Sequence, residues 1–129
     1  MSESDLSTTP QTVEPLALAI RLAEVAQDRK AIHPIVLDIR PLTVIADYFL
    51  IASGRTTVQV QVLSDRIREA AEAMGCPPRA IEGAQEGRWI VLDFGEVVVH
   101  LFRDDDRRFY DLERLWGEAT LCFEGEEEP

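Results

Sequence analysis

Residues 89–94 and 97–102 alternate so regularly about Gly95-Glu96 that a single pairing keeps their apolar side chains together. Glycine at the first central position of a two-residue connection suits a type II′ turn, whose twist matches that of two antiparallel strands. The register follows from the turn: Phe94 faces Val97, Leu92 faces Val99 and Ile90 faces Leu101, an apolar face built to cover a core. A slip of one residue would turn every side chain over, so this pairing is strongly specified. The opposite face sets Trp89, Val91 and Asp93 against Phe102, His100 and Val98. A surface that mixes a tryptophan, an acid and a histidine is a poor core, and we read it as a docking surface for another protein.

The rest of the chain supplies the layers that such a hairpin needs. After Pro15, which a helix tolerates in its first turn, Leu16, Ala19, Ile20, Ala23 and Ala26 recur at helical spacing, and this helix ends before His33-Pro34. Residues 35–39 and 48–52 are β-branched or aromatic runs that read as strands buried on both faces. The turn 53–57 offers an N-cap, and Val60, Leu63, Ile67, Ala70, Ala71 and Met74 form the apolar stripe of a second helix. Gly75 is its natural terminator, and Pro77-Pro78 prevent continuation. Residues 80–82 form a short strand before the hairpin, and residues 107–116 a closing helix with Phe109, Leu112 and Leu115 or Trp116 on its apolar side. The order predicts an α/β fold, a mixed five-stranded sheet flanked by helices.

One domain is expected, at residues 15–118, because 129 residues that are 46% hydrophobic bury a sizeable core. Residues 1–14 are polar and contain Pro10, which predicts a flexible arm, and residues 119–129 are expected to be an acidic C-terminal tail. The formal charge of −11 disfavours direct, sequence-specific nucleic-acid binding, which relies on clustered Lys and Arg. Arm and tail together hold seven acids and no base, so what remains, 17 acids against 13 bases, is only mildly acidic. Cys76 and Cys122 show no pairing pattern, which suits a reducing compartment, and no apolar run approaches the roughly 20 residues of a membrane span. The start of the chain has neither the basic residues nor the apolar run of a secretion signal, so the expected location is cytoplasmic.

Three constellations could carry chemistry. Asp104 and Asp106 have the Asp-x-Asp spacing that holds Mg²⁺ for nucleotidyl transfer, yet acids between a strand and a helix also serve the helix dipole. Ser53-Gly54 could cradle a phosphate, though a phosphate loop usually has more glycines and a lysine. Asp93 and His100 share the mixed hairpin face as diagonal neighbours about 7–8 Å apart, with no nucleophile nearby in sequence. His33, His100, Cys76 and Cys122 lack metal-ligand spacing, so neither a metal nor a cofactor is expected.

Three blocks, Asp47-Tyr48-Phe49-Leu50-Ile51-Ala52-Ser53-Gly54, Gly87-Arg88-Trp89-Ile90-Val91-Leu92-Asp93-Phe94-Gly95-Glu96-Val97-Val98-Val99-His100 and Phe109-Tyr110-Asp111-Leu112-Glu113-Arg114-Leu115-Trp116, closely resemble the ribosomal silencing factor, or Iojap-like, family. The resemblance covers residues 16–116. It implies a non-enzymatic factor that binds the large ribosomal subunit through ribosomal protein L-fourteen and sterically blocks joining of the small subunit when nutrients are scarce. It further implies a fold similar to the nucleotidyltransferases without their active site, and frequent homodimers. By place in the motif, the partner-contacting residues are Trp89, Phe94 and Val97, with Asp93 and His100 as supporting neighbours. Phe94 and Val97 stand where the family varies, and the acidic tail is not part of its pattern.

Overall fold

A computed structural model describes residues 13–126. Most of the expected flexible arm, residues 1–12, and the last three residues of the acidic tail, 127–129, lie outside the described residues. The elements run α1 (Pro15–Asp28), β1 (Ile32–Asp38), β2 (Tyr48–Gly54), α2 (Thr57–Ala73), β3 (Ala80–Glu82), β4 (Trp89–Asp93), β5 (Val97–Arg103), α3 (Asp104–Tyr110), α4 (Leu112–Leu115) and β6 (Thr120–Glu124). They form one mixed sheet in the order β3-β4-β5-β2-β1-β6. Strands β2 and β5 run parallel, and the other pairs are antiparallel.

Two layers of unequal thickness cover this sheet. On one face, Leu18, Leu22 and Ala26 of α1 and Val60, Leu63 and Ile67 of α2 pack on Leu50, Ile90, Leu92, Val99 and Leu101. Helix α1 begins with Pro15, and α2 begins behind Thr56, whose hydroxyl accepts from the Gln59 amide at 3.1 Å. The other face gathers Ile35, Leu37, Ile39, Phe49, Ile51 and Phe102, with Trp89, Leu112 and Trp116 packed against it. Alternate residues of the central strand β2 enter the two cores, so every position in it is buried. Among the described residues the helices on the second face are the short α3 and α4, joined by Ile39 and Ala46 of the β1–β2 loop, and that leaves room for a site there.

The hairpin register agrees with the sequence reading at every pair from Trp89 opposite Phe102 to Asp93 opposite Val98. Two expectations are corrected. The sheet has six strands, not five, because residues 120–124, assigned to the tail, pair with β1. Without them β1 would expose an open edge, and half-buried Cys122 and Phe123 add to the α1 core. The single helix expected over 107–116 begins at Asp104 instead and is broken at Asp111, which adopts a left-handed φ of 50°. The expected stripe holds past that break, where Leu112 and Trp116 reach the core and Leu115 is 73% exposed, but not before it, where Phe109 is 80% exposed.

Candidate docking site

Trp89 opens β4 on the thinly covered face and is only partly buried. Its indole forms a triangle of rings with Phe102, 4.9 Å away, and Tyr110, 4.7 Å away, which are 6.3 Å from each other. The indole nitrogen is 3.1 Å from His100 Nδ1, to which it donates. His100 itself is buried on β5, its ring T-shaped to Phe49 with centroids 4.7 Å apart, and burial pushes its pKa down to about 4. The ring is therefore neutral and free to accept.

An open cleft spreads in front of Trp89, lined also by Gly83, Glu86, Arg88, Asp106, Phe109 and Tyr110. Arg88, mostly exposed, grips Asp106 with two hydrogen bonds of 3.1 Å, and these hold its guanidinium pKa above the usual range. The fork ties β4 to α3 and so carries Phe109 and Tyr110, ring centroids 5.1 Å apart, to the cleft wall beside the tryptophan. Gly83 closes the floor. Its φ is +81°, and a Cβ there would meet the Trp89 carbonyl oxygen at 2.1 Å.

The residues singled out in the sequence separate by role. Trp89 faces the cleft, and His100 lies behind it. Asp93 turns toward the hairpin connection, where its carboxylate accepts from the Gly95 amide at 2.8 Å. Phe94 and Val97, expected as contacts at an exposed tip, are buried in the α1–α2 core at 9% and 1% exposure. The tip is covered because the two residues belong to the apolar hairpin face, which the helices cover to its end. Phe109 and Tyr110 take their place at the surface. The β1–β2 loop also exposes Val44 and Ile45, which the sequence reading passed over.

The constellations considered for catalysis are engaged otherwise. Asp104 accepts from Ser53 Oγ at 3.1 Å and pairs with Arg108, Asp105 pairs with Arg108 and Arg103, and Asp106 holds Arg88. Beside Ser53, the buried Arg107 guanidinium donates to Ser53 Oγ and to the carbonyls of Ile32 and His33. His100 is oriented by Trp89 rather than Asp93. Among the described residues, no group of three or more His, Cys, Asp or Glu side chains is placed to hold a metal ion.

A protein of Bacillus subtilis named ribosomal silencing factor RsfS is 40% identical over 100 residues, 78% of this chain and 85% of its own. The chloroplastic protein Iojap of Arabidopsis thaliana is 35% identical over 98% of this chain and 54% of its own. A crystal structure of a Chromobacterium violaceum protein superposes with a TM-score of 0.79 at 30% identity, covering 86% of this chain and 92% of that one. The family described as ribosomal silencing factor during starvation matches residues 11–128. The chain belongs to the ribosomal silencing factor family.

Proposed function

We propose that this chain docks on the large ribosomal subunit through ribosomal protein L-fourteen, sterically keeps the small subunit from joining, and so represses translation under nutrient limitation. The observation that carries the reading is the cleft in which Trp89, Phe109 and Tyr110 stand together beside the pinned Arg88, in a chain of the ribosomal silencing factor family. Aromatic and arginine side chains supply most of the energy at protein interfaces, above all where they are held in place before binding. A formal charge of −11 favours approach to a basic ribosomal protein and opposes approach to the RNA phosphates around it.

In this reading the chain works by occupancy. It needs no cofactor or metal, acts in the cytoplasm, and has a second copy of itself as a further partner, which sedimentation of the free protein tests. Purified chain is expected to cosediment with isolated large subunits and to lower the yield of joined ribosomes when small subunits are added. Trp89→Ala, with its fold verified by circular dichroism, is expected to weaken cosedimentation by more than about 1–2 kcal/mol. Unchanged cosedimentation of that variant removes the cleft from the reading. Mg²⁺-dependent nucleotide binding, abolished by Asp104→Asn with Asp106→Asn, would replace the reading with a nucleotidyltransferase.

A further inference from the structure

The bond between Trp89 and His100 fixes more than a contact distance. An indole N–H can only donate, so His100 Nδ1, 3.1 Å away, must accept, and the proton of the neutral ring resides on Nε2. That Nε2 is buried and has no hydrogen-bond partner among the described residues. A buried donor left unmatched is unfavourable, and the other tautomer would lose its acceptor and press two N–H groups together. The ring is thus held in the single state that serves Trp89, at the expense of its own second nitrogen.

The neighbours show what this state secures. Phe102 and Tyr110 touch the indole at 4.9 and 4.7 Å but lie 6.3 Å from each other, so they pack beside it without clamping it from both sides. A hydrophobic stack alone is nearly indifferent to which edge of the indole faces inward, because both edges bury similar area. The directional bond to His100 breaks that indifference. His100 is 8% exposed and lies behind the tryptophan, out of reach of anything seated in the cleft.

We propose that His100 is a positioning residue for docking: its neutral ring accepts from the Trp89 indole and fixes that side chain in its binding orientation without touching the partner. The proposal rests on the reading of the Trp89 cleft as the docking site. Fixing an anchor before encounter removes the ordering cost from the binding step, so the effect appears in affinity.

Two variants separate positioning from packing. His100→Asn places an amide oxygen near the position of Nδ1 and keeps the acceptor, whereas His100→Leu fills space without one. With purified bacterial large subunits as the probe, His100→Leu is expected to bind at least tenfold more weakly, and His100→Asn within about threefold of the native chain. The indole ¹H–¹⁵N resonance of Trp89, assigned by comparison with Trp89→Phe, is expected to shift in His100→Leu and to be largely restored in His100→Asn. Native binding by His100→Leu, or equal impairment of both variants, overturns the proposal. If His100→Leu does not fold, the long-range ¹H–¹⁵N spectrum of the native imidazole decides: an unprotonated Nδ1 supports positioning, and a protonated Nδ1 overturns it. Trp89→Ala distinguishes the two levels of failure. If it binds normally, the cleft reading itself falls, whereas a weak Trp89→Ala beside a normal His100→Leu rejects only the role of His100.

Discussion

Arg107 Nη1 lies 3.2 Å from Ser53 Oγ, 54 residues earlier in the chain, and the same guanidinium bonds the Ile32 and His33 carbonyls at 2.9 and 2.8 Å. One buried side chain thereby clasps the first residues of β1, the end of β2 and the start of α3. The clasp sits where β1 is irregular: its register against β2 shifts between Ile32 and Ile35, and His33 has a φ of +46°. The Ile32 carbonyl there also accepts from Ser53 Oγ at 3.4 Å, so the guanidinium and the hydroxyl share it.

Arg107→Leu is therefore expected to destabilise the fold by about 2–4 kcal/mol, because it removes a charged donor shared by Ser53 and the Ile32 and His33 carbonyls and releases Glu113, now held by Nε at 2.8 Å. Arg107→Lys is expected to recover less than half, since an ammonium cannot span the same fork. Urea unfolding checks both. A change below about 0.5 kcal/mol for Arg107→Leu would show that water replaces the clasp.

Phe109 gives the cleanest division between stability and docking. At 80% exposure it contributes little to the core, so Phe109→Ala is expected to alter unfolding free energy by less than about 0.5 kcal/mol. In the cleft its ring stands edge-on to Tyr110 beside Trp89, and its loss is expected to weaken large-subunit binding by about 1 kcal/mol or more. Equilibrium binding and urea unfolding of one preparation provide the comparison, and native affinity would confine docking to Trp89 and Tyr110.

The hairpin was legible from sequence because its turn and period-two pattern admit one register. Even the Trp89–His100 relationship was half legible, since that register makes them diagonal neighbours, but the direction of the bond depends on side-chain rotamers. Phe109 was misplaced for a more local reason. Asp111 takes up a left-handed backbone that aspartate tolerates without being compelled to adopt it, and the apolar stripe changes course there. Strand β6 was hidden by composition: Leu121, Cys122 and Phe123 are a short apolar run against Glu124, Glu126, Glu127 and Glu128. Its pairing with β1 is a long-range event that local pattern does not encode.

Ending the chain at residue 118 tests the importance of that sixth strand. The truncation removes the β1–β6 ladder, the partly buried Cys122 and Phe123, and the His33–Glu124 contact of 2.8 Å. Loss of the ladder and of part of two side chains from the core is expected to lower stability by at least about 2 kcal/mol and to expose the β1 edge to self-association. Urea unfolding and light scattering measure the two effects. A truncated chain as stable and monodisperse as the longer one would make β6 dispensable.

His100 also sets a pH dependence whose sign is fixed by its burial. Its pKa falls from 6.5 to about 4 on folding because the ring is desolvated. Above about pH 6.5 both states hold the ring neutral, and its contribution to stability is complete. Between about 6.5 and 4 the unfolded chain binds a proton that the folded chain refuses, so stability falls as the pH is lowered; below about 4 the contribution levels off. At roughly 1.4 kcal/mol for each pKa unit, the whole window is worth about 3 kcal/mol. His100→Asn has no such group, while the carboxylates of the chain titrate alike in both proteins and cancel in the difference. Between about pH 7.5 and 4.5 the native chain is therefore expected to lose roughly 2–3 kcal/mol more than His100→Asn in urea unfolding. Equal losses would mean that the native fold admits the proton, which requires the Trp89 indole to leave Nδ1 as the pH falls.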